Sequence, residues 1–405
     1  MNQPFDPWSK ISPDEYRARQ DRARQSAREA GLDGVLVYSR GGAFLDMHAD
    51  VLYLTNHYSQ LPYVADHFGV GSAISHAAVI MPVEGPTVLI VDVPWWRRDL
   101  VVADEVRDTS FVTEAVGQAL RDTGLLGKRV AFVGAGFMTA SAYLGLVEVA
   151  GDTSLVRMDD LVEKLRVITS PAEREIIRQA ATIGSQAIEG IMGAAVEGNT
   201  EADAVGAALD VTIPAGAVFY DAACNSGPLA HHYAWSRLPS YDVQRPFKNG
   251  DIFHVDCYGV FGGYQWDFGR TRVIGDQPTG PQQALMDAAV EIVGHVCDSI
   301  RPGMTGGDVF AVAERWLAES SPGQTLSEQV PNFEHLGHVG HGIGLSWSVP
   351  WLMPDDQTML EPGMYVAVEM MFGKEGVGAA LHEENGLVTE DGFEVLTTTR
   401  QRWHS

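Results

Sequence analysis

Two aspartates, a glycine-flanked histidine cluster and three glutamates carry the chemistry that this chain could do. Asp256 and Asp267 stand eleven residues apart in Asp251-Ile-Phe-His-Val-Asp256-Cys-Tyr-Gly-Val-Phe-Gly-Gly-Tyr-Gln-Trp-Asp267-Phe-Gly-Arg270-Thr271. The segment reads as a β-hairpin with Gly259, Gly262 and Gly263 supplying the turn, and carboxylates facing each other across a tight hairpin can share a cation. Taken singly, Asp256 also reads as a turn former and Asp267 as a solvated charge. The second cluster, His335-Leu-Gly-His338-Val-Gly-His341-Gly-Ile-Gly-Leu345, embeds three histidines in glycines. Glycine lets backbone approach closely, and neutral imidazole is a common metal ligand, but spacing does not say which histidine binds. Glu369 ends the apolar run from Met364, and Glu383-Glu384 open another strand. A carboxylate there is costly to bury unless paired or metal-bound, and strand alternation allows only one of Glu383 and Glu384 to point inward. An oxygen-rich set with one imidazole suits manganese, iron or cobalt before copper. Two ions about 3.5–4 Å apart, bridged by carboxylates, would activate a shared water near neutral pH.

The elements that must position these residues follow from capping and periodicity. Ser12-Pro13-Asp14-Glu15 and Ser170-Pro171-Ala172-Glu173 both read as capping boxes with proline in the first turn. The first opens a helix ending near Gly31, followed by a buried strand over 34–38. Apolar runs at 87–93 and 130–133 alternate with helical stretches, giving an α/β first half. After the second box, helices are expected around 173–193, 201–210, 281–300 and 307–319, with strands near 251–258, 264–274, 364–370 and 379–388. Helices grouped beside hairpin strands make the second half α+β. The domains are placed at 1–165 and 166–405, and no repeat or low-complexity tract interrupts them.

Composition limits the partners. The 405 residues are 45% hydrophobic and 20% charged, ordinary for two globular domains. A formal charge of −25 speaks against a nucleic-acid surface and fits a small-molecule substrate. Cys224, Cys257 and Cys297 form neither a metal spacing nor a disulfide framework, so a reducing compartment is expected. The polar N-terminus is unlike a signal peptide, and no apolar stretch is long enough for a membrane helix. The expected location is the cytoplasm.

The order Asp256…Asp267-x-x-Arg-Thr, Gly-His341-Gly-Ile-Gly-Leu, Glu369, and Glu383-Glu-x-x-x-x-Thr-Glu-Asp-Gly resembles the creatinase/prolidase/methionine aminopeptidase family. The likeness covers essentially the whole chain, with 165–173 resembling the junction between its domains and 50–56 part of its smaller N-terminal domain. It implies a pita-bread catalytic domain preceded by a creatinase-like α/β domain. It also implies metal ligation by Asp256, Asp267, His341, Glu369 and Glu383, with Asp267 and Glu383 bridging. Glu383 is preferred because it lies six residues before Thr389, as the family's ligand does. Two divalent ions (manganese, iron or cobalt, with zinc admissible) would generate a bridging hydroxide that attacks a carbonyl or amidine carbon beside nitrogen. The family further implies a homodimer, with the loop bearing Tyr63 and His67 reaching the other subunit's site.

Departures from the family's pattern bear on substrate. Proline-specific peptidases carry His-Glu seven and eight residues after the metal histidine, where this chain has Ser348 and Val349. Met370 replaces the usual proline after the fourth ligand, and Ala234 stands where a substrate histidine is expected. His231, His232 and His338 are the candidates to act on the substrate in its place. Trp235, Trp266, Trp347 and Trp351 lie beside the site segments and either pack the core or form an aromatic box. Trp235 and Trp347 are taken as substrate contacts. The expected activity is hydrolysis of a C–N bond in a small dipeptide-like or creatine-like molecule. The alternatives are a lyase on the same scaffold, like the relative that splits dimethylsulfoniopropionate, and an inactive binding module. The lyase carries its catalytic aspartate where this chain has Trp347, whereas binding modules have usually lost ligands that are all present here.

Overall fold

The computed structural model describes residues 5–41, 45–234, 239–275, 277–320 and 337–403. Two compact units divide the chain, Met1–Arg166 and Val167–Ser405. Among the described residues no helix is long and apolar enough to cross a membrane.

The first unit is an α/β layer built around a six-stranded mixed sheet. Its elements are α1 (Pro13–Glu29), β1 (Gly34–Arg40), α2 (Ala49–Thr55), β2 (His76–Pro82), β3 (Val88–Val91), β4 (Glu105–Asp108), α3 (Val112–Asp122), β5 (Arg129–Val133), α4 (Ala140–Ala150), β6 (Ser154–Arg157) and α5 (Asp160–Arg166). The strand order is β4-β3-β2-β1-β5-β6. β2, like β4 and β6, is not among the strands expected from sequence. Ser12 caps α1 by accepting from the Glu15 N–H, with proline in the first turn as its spacing suggests.

The second unit runs α6 (Pro171–Ala194), α7 (Glu201–Thr212), β7 (Val218–Ser226), β8 (Ile252–Phe261), β9 (Tyr264–Val273), α8 (Gly280–Ser299), α9 (Gly306–Ser320), β10 (Gly340–Gly342), β11 (Ser348–Trp351), β12 (Tyr365–Lys374), β13 (Gly378–Val388) and β14 (Phe393–Val395). It holds a three-stranded sheet, β7-β8-β9, and a five-stranded sheet, β11-β10-β12-β13-β14. The Ser170 capping box at α6 is complete in both directions.

Strand alternation sorts each sheet into a helix-packed face and a second face. On β8, Phe253, Val255 and Cys257 pack with Ile188, Ile191 and Ala204 of α6 and α7. On β12, Val366, Val368, Met370 and Phe372 pack against Val293 and Val296 of α8. The odd or even partners of these residues, Asp256 on β8 and Glu369 on β12, fall on the opposite faces.

Two local expectations need correction, and for Trp266 the structure selects one of the two alternatives. Gly262 and Gly263, at φ 59° and 91°, form the β8–β9 turn, whereas Gly259 lies inside β8, where a Cβ would come 2.1 Å from the Trp266 ring. Glu383 and Glu384 do not begin a strand but sit in the middle of β13. Trp266 is fully buried and lies against Gly184 of α6, so it belongs to the core and not to an aromatic box.

A Cβ at Gly184 would approach Trp266 to 2.4 Å and Phe268 to 2.7 Å. Gly184→Ala should therefore destabilise the protein by about 1–3 kcal/mol through overpacking. Urea denaturation reads this directly, and an unchanged midpoint would refute the tight α6–β9 contact.

Candidate metal centre

Each candidate ligand is delivered by strand register. In the β8–β9 hairpin Asp256 pairs with Gly269 and Asp267 with Tyr258. The two aspartates are therefore diagonal neighbours on one face, within reach of each other. On the other sheet Glu369 and Glu383 are direct cross-strand partners, while His341 pairs with Ala367, two residues before Glu369. These register positions place His341, Glu369 and Glu383 on one face.

The structure brings the five side chains together in two overlapping groups. Potential ligand atoms of Asp267, His341 and Glu383 lie within 4.8 Å of one another, as do those of Asp256, Glu369 and Glu383. Glu383 belongs to both. His341 Nε2 stands 3.8 Å from Asp267 Oδ2 and 3.8 Å from Glu369 Oε1, too far for a hydrogen bond. Burial lowers the His341 pKa to about 4, with the nearby His338 adding to the effect. The imidazole is accordingly neutral at pH 7 and leaves a lone pair free for a cation.

The carboxylates are in an unfavourable state without one. Burial and then the charges of Asp256 and Glu369 push Asp267 well above the usual carboxylate range, although the Trp347 indole N–H opposes the rise. Glu383 is pushed well up by burial and by Asp267, Asp256 and Glu369. Glu369 is raised to about 8, first by burial and then by Asp256, and burial also raises Asp256. Oδ1 of Asp256, Oδ1 of Asp267 and both carboxylate oxygens of Glu383 are buried with no hydrogen-bond partner. Buried acceptors are nearly always satisfied, and an oxygen-rich set with neutral imidazole is the donor chemistry of a hard-to-borderline divalent ion. The residues present fit such a group.

Glu384 has a different role. Its Oε1 lies 3.0 Å from Arg270 Nη2 and 2.9 Å from His382 Nε2, all three groups being buried. Despite burial, the Arg270 charge and the His382 hydrogen bond hold Glu384 below its ordinary value. Arg270 also donates from Nε to Arg400 O at 3.0 Å and from Nη1 to Gly269 O at 2.8 Å.

The remaining sequence candidates are placed unevenly. His338 Nδ1 comes to 3.6 Å from Glu369 Oε1, but it already accepts from the Gly340 N–H at 3.3 Å. Trp347 is half exposed, with its ring 5.0 Å from that of His341, and Trp351 lies 5.5 Å from the same ring. The His231 and His232 rings are 4.0 Å apart, and His232 O accepts from Asn225 Nδ2 at 3.3 Å. Their neighbour Tyr233 hydrogen-bonds a candidate ligand: its hydroxyl donates to Asp256 Oδ2. Tyr63 is largely exposed in the first unit, where His67 Nδ1 accepts from the Gly69 N–H at 3.2 Å. Trp235 and His335 lie outside the described residues.

Sequence reading missed Tyr233 and Asn385. Asn385 lies two residues beyond Glu383 on the same face of β13, and its side chain bonds both backbone groups of Asp267. The two-residue spacing was the available signal; Tyr233 offered only its place beside His231-His232.

With the geometry established, comparison with known proteins gives the class. Residues 175–390 match the model of metallopeptidase family M24, and residues 19–168 match that of the creatinase/prolidase N-terminal domain. The chain belongs to metallopeptidase family M24: an Xaa-Pro dipeptidase-like metallopeptidase, hence a hydrolase, with a creatinase-type α/β domain before a pita-bread catalytic domain. It is similar to the Xaa-Pro dipeptidase of Pyrococcus furiosus, 26% identical over 251 residues, covering 60% of this chain and 67% of the relative. It is also similar to the creatinase of a Bacillus species, 23% identical over 410 residues, covering 96% and 91%. Among solved structures, the Xaa-Pro dipeptidase from Bacillus anthracis shares the fold with a TM-score of 0.76 at 24% identity, covering 96% of this chain and 99% of that one.

Replacing Arg270 with Met should cost about 3–5 kcal/mol, because it leaves Glu384 buried and short of its cation. Guanidinium denaturation of Arg270→Met and of Arg270→Met/Glu384→Gln checks this. The double variant should recover part of the loss, and a single variant as stable as the parent would dissolve the ion-pair assignment.

Proposed function

We propose that the protein is a dinuclear metal-dependent hydrolase that cleaves a C–N bond in a small dipeptide-like or creatine-like substrate. The observation that carries this reading is the pair of overlapping, largely buried ligand groups sharing Glu383, with oxygens of Asp256, Asp267 and Glu383 that have no hydrogen-bond partner. Asp256, Asp267, His341, Glu369 and Glu383 would hold the ions, manganese, iron or cobalt before zinc on donor chemistry. Two such ions, when bound, supply Lewis acidity for activating water and for offsetting negative charge on the electrophile.

The chain's own residues would do the rest. Tyr233 orients Asp256 by donating to Oδ2. The neutral His341 is fixed by its Nδ1 contact with Gly342 O at 3.1 Å, which sets the proton on Nδ1 and the lone pair on Nε2. Trp347 and Trp351 flank His341 and would present an apolar wall to the substrate, with His338 stacked edge-on against Trp351 at 5.3 Å. His231 and His232 remain the candidates for contact with the substrate's polar end.

The substrate shell argues for a small molecule over an ordinary Xaa-Pro peptide. In place of the peptidase His-Glu pair, Ser348 is buried with its hydroxyl donating to Val349 O at 3.3 Å. The lyase alternative calls for a proton acceptor where Trp347 brings an indole N–H, which only donates. By family analogy the protein is proposed to act as a homodimer, with Tyr63 and His67 as the loop residues that would reach a partner, and three buried free cysteines fit a reducing cytoplasm.

Elemental analysis of the purified protein should find about two divalent ions per chain, and a chelator should strip activity that manganese, iron or cobalt restores. Asp267→Ala should lower turnover by more than the loss of about 10–100-fold typical of outer-sphere changes. Metal content near zero with no uptake on incubation would overturn the reading, as would an Asp267→Ala variant of near-parental activity.

A further inference from the structure

The two sheets that carry the ligands meet along β9 and β13. These strands belong to separate sheets, and side chains bridge the seam between them. The Asp267 N–H donates to Asn385 Oδ1 at 2.9 Å, and Asn385 Nδ2 donates to the Asp267 carbonyl at 2.7 Å. The carboxamide thus offers Asp267 one acceptor and one donor, as a neighbouring strand would. The Tyr365 hydroxyl donates to the same Oδ1 at 3.1 Å. Asn385 is itself held by its backbone: its N–H donates to Thr397 Oγ1 at 3.0 Å, and its carbonyl accepts from the Leu396 N–H at 2.8 Å.

A second bridge lies four residues further along each strand. The Thr271 hydroxyl donates to the Leu381 carbonyl at 3.0 Å and accepts from the Leu381 N–H at 2.8 Å. The pairings 267 with 385 and 271 with 381 put Gly269 opposite Glu383, midway between the bridges. Gly269 is also the register partner of Asp256 on β8. Only glycine fits there, since a Cβ would come within 2.5 Å of the Leu381 side chain.

Asp267 and Glu383 therefore project carboxylates toward one point from different sheets, with potential ligand atoms within 4.8 Å of each other. Any sliding or opening of the seam would change the spacing of the two carboxylates, and because the strands belong to separate sheets the backbone ladder of neither resists that motion. Asn385 does resist it, because it shares a strand face with Glu383 and grips the backbone of Asp267.

We propose that Asn385 is a positioning residue for the two-metal centre, clamping Asp267 to the Glu383 strand so that both carboxylates are held at the spacing a pair of divalent ions requires. The clamp rests on the metal-centre reading above. A purely structural alternative is that Asn385 only satisfies two buried backbone groups of Asp267. That role would show in the stability of the metal-free protein and nowhere else.

The test uses metal-stripped full-length protein, with Mn2+, Fe2+ and Co2+ as the probes. Binding is followed by titration calorimetry and equilibrium dialysis, and each stripped protein is melted separately. Asn385→Leu removes both bonds, and Asn385→Ser leaves room for water should the leucine prevent folding. Gly184→Ala serves as a destabilised variant whose clamp is intact. The parent and Gly184→Ala should take up two ions with equal affinity. The Asn385 variants should bind at least one ion about 10–100-fold more weakly, the range seen for partners that orient ligands. Two ions at parental affinity in both Asn385 variants would overturn the clamp while leaving the metal centre standing. Failure of both variants to fold would make the residue structural and likewise overturn it. A parent that binds no ion would remove the metal reading and the clamp with it.

Discussion

Four carboxylates and one imidazole share a single buried space, and this crowding of like charge is the constraint on which the catalytic unit depends. Burial alone disfavours each charge, and proximity adds repulsion among Asp256, Asp267, Glu369 and Glu383. Such an arrangement costs stability unless a rigid frame holds it and either protonation or a cation offsets the charge. Two sheets packed by helices on their outer faces provide that frame. The hydrophobic cores built on α6–α7 and on α8–α9 lie on the faces away from the carboxylates, so apolar burial stabilises the strands that carry the costly charges.

Strand periodicity then assigns opposite tasks to adjacent residues. Glu383 turns toward the other candidate ligands, whereas Glu384 turns to Arg270 and His382. The same alternation separates Asp267 from Trp266, one in the polar space and the other under Gly184. A one-residue slip of either strand would exchange these roles and bury a charge in the apolar core, so register is strongly specified. The buried Arg270 serves the same end: it ties Glu384 to β9 and places β13 beside it.

How far the sequence discloses this depends on the kind of signal. Hairpin register, capping boxes and the glycine-flanked His341 are local patterns, and they locate α6, the β8–β9 hairpin and the candidate ligands to within a few residues. The choice of Glu383 over Glu384 lies beyond periodicity, which says only that one of the two points inward; the family's spacing to Thr389 decides it. β2 is buried along its whole length without alternation, but so are β1, except at Arg40, and β3, whose apolar runs do disclose them. Gly259 looked like a turn glycine because its neighbours are Gly262 and Gly263, and its actual use, making room for Trp266, is a tertiary contact. Asn385 and Tyr233 escaped for a related reason. Neither belongs to a ligand motif, and their partners lie 118 and 23 positions away along the chain.

The differences from a proline peptidase fall on a different layer from the candidate metal ligands, and their chemistry is consistent among themselves. Ser348 and Val349 remove an imidazole and a carboxylate that could hold a peptide carbonyl, and Ser348 turns its hydroxyl onto its own strand. Trp347 and Trp351 place two indoles around His341 instead. An aromatic wall contributes apolar contact area and attraction for a cationic group, but few directional hydrogen bonds. Selectivity in such a site rests on shape and charge more than on carbonyl recognition, in keeping with the compact substrate proposed above. The ligand frame can tolerate this exchange because its geometry is set from behind, by Arg270, Asn385 and the helix-packed faces, and not by the residues that line the substrate side.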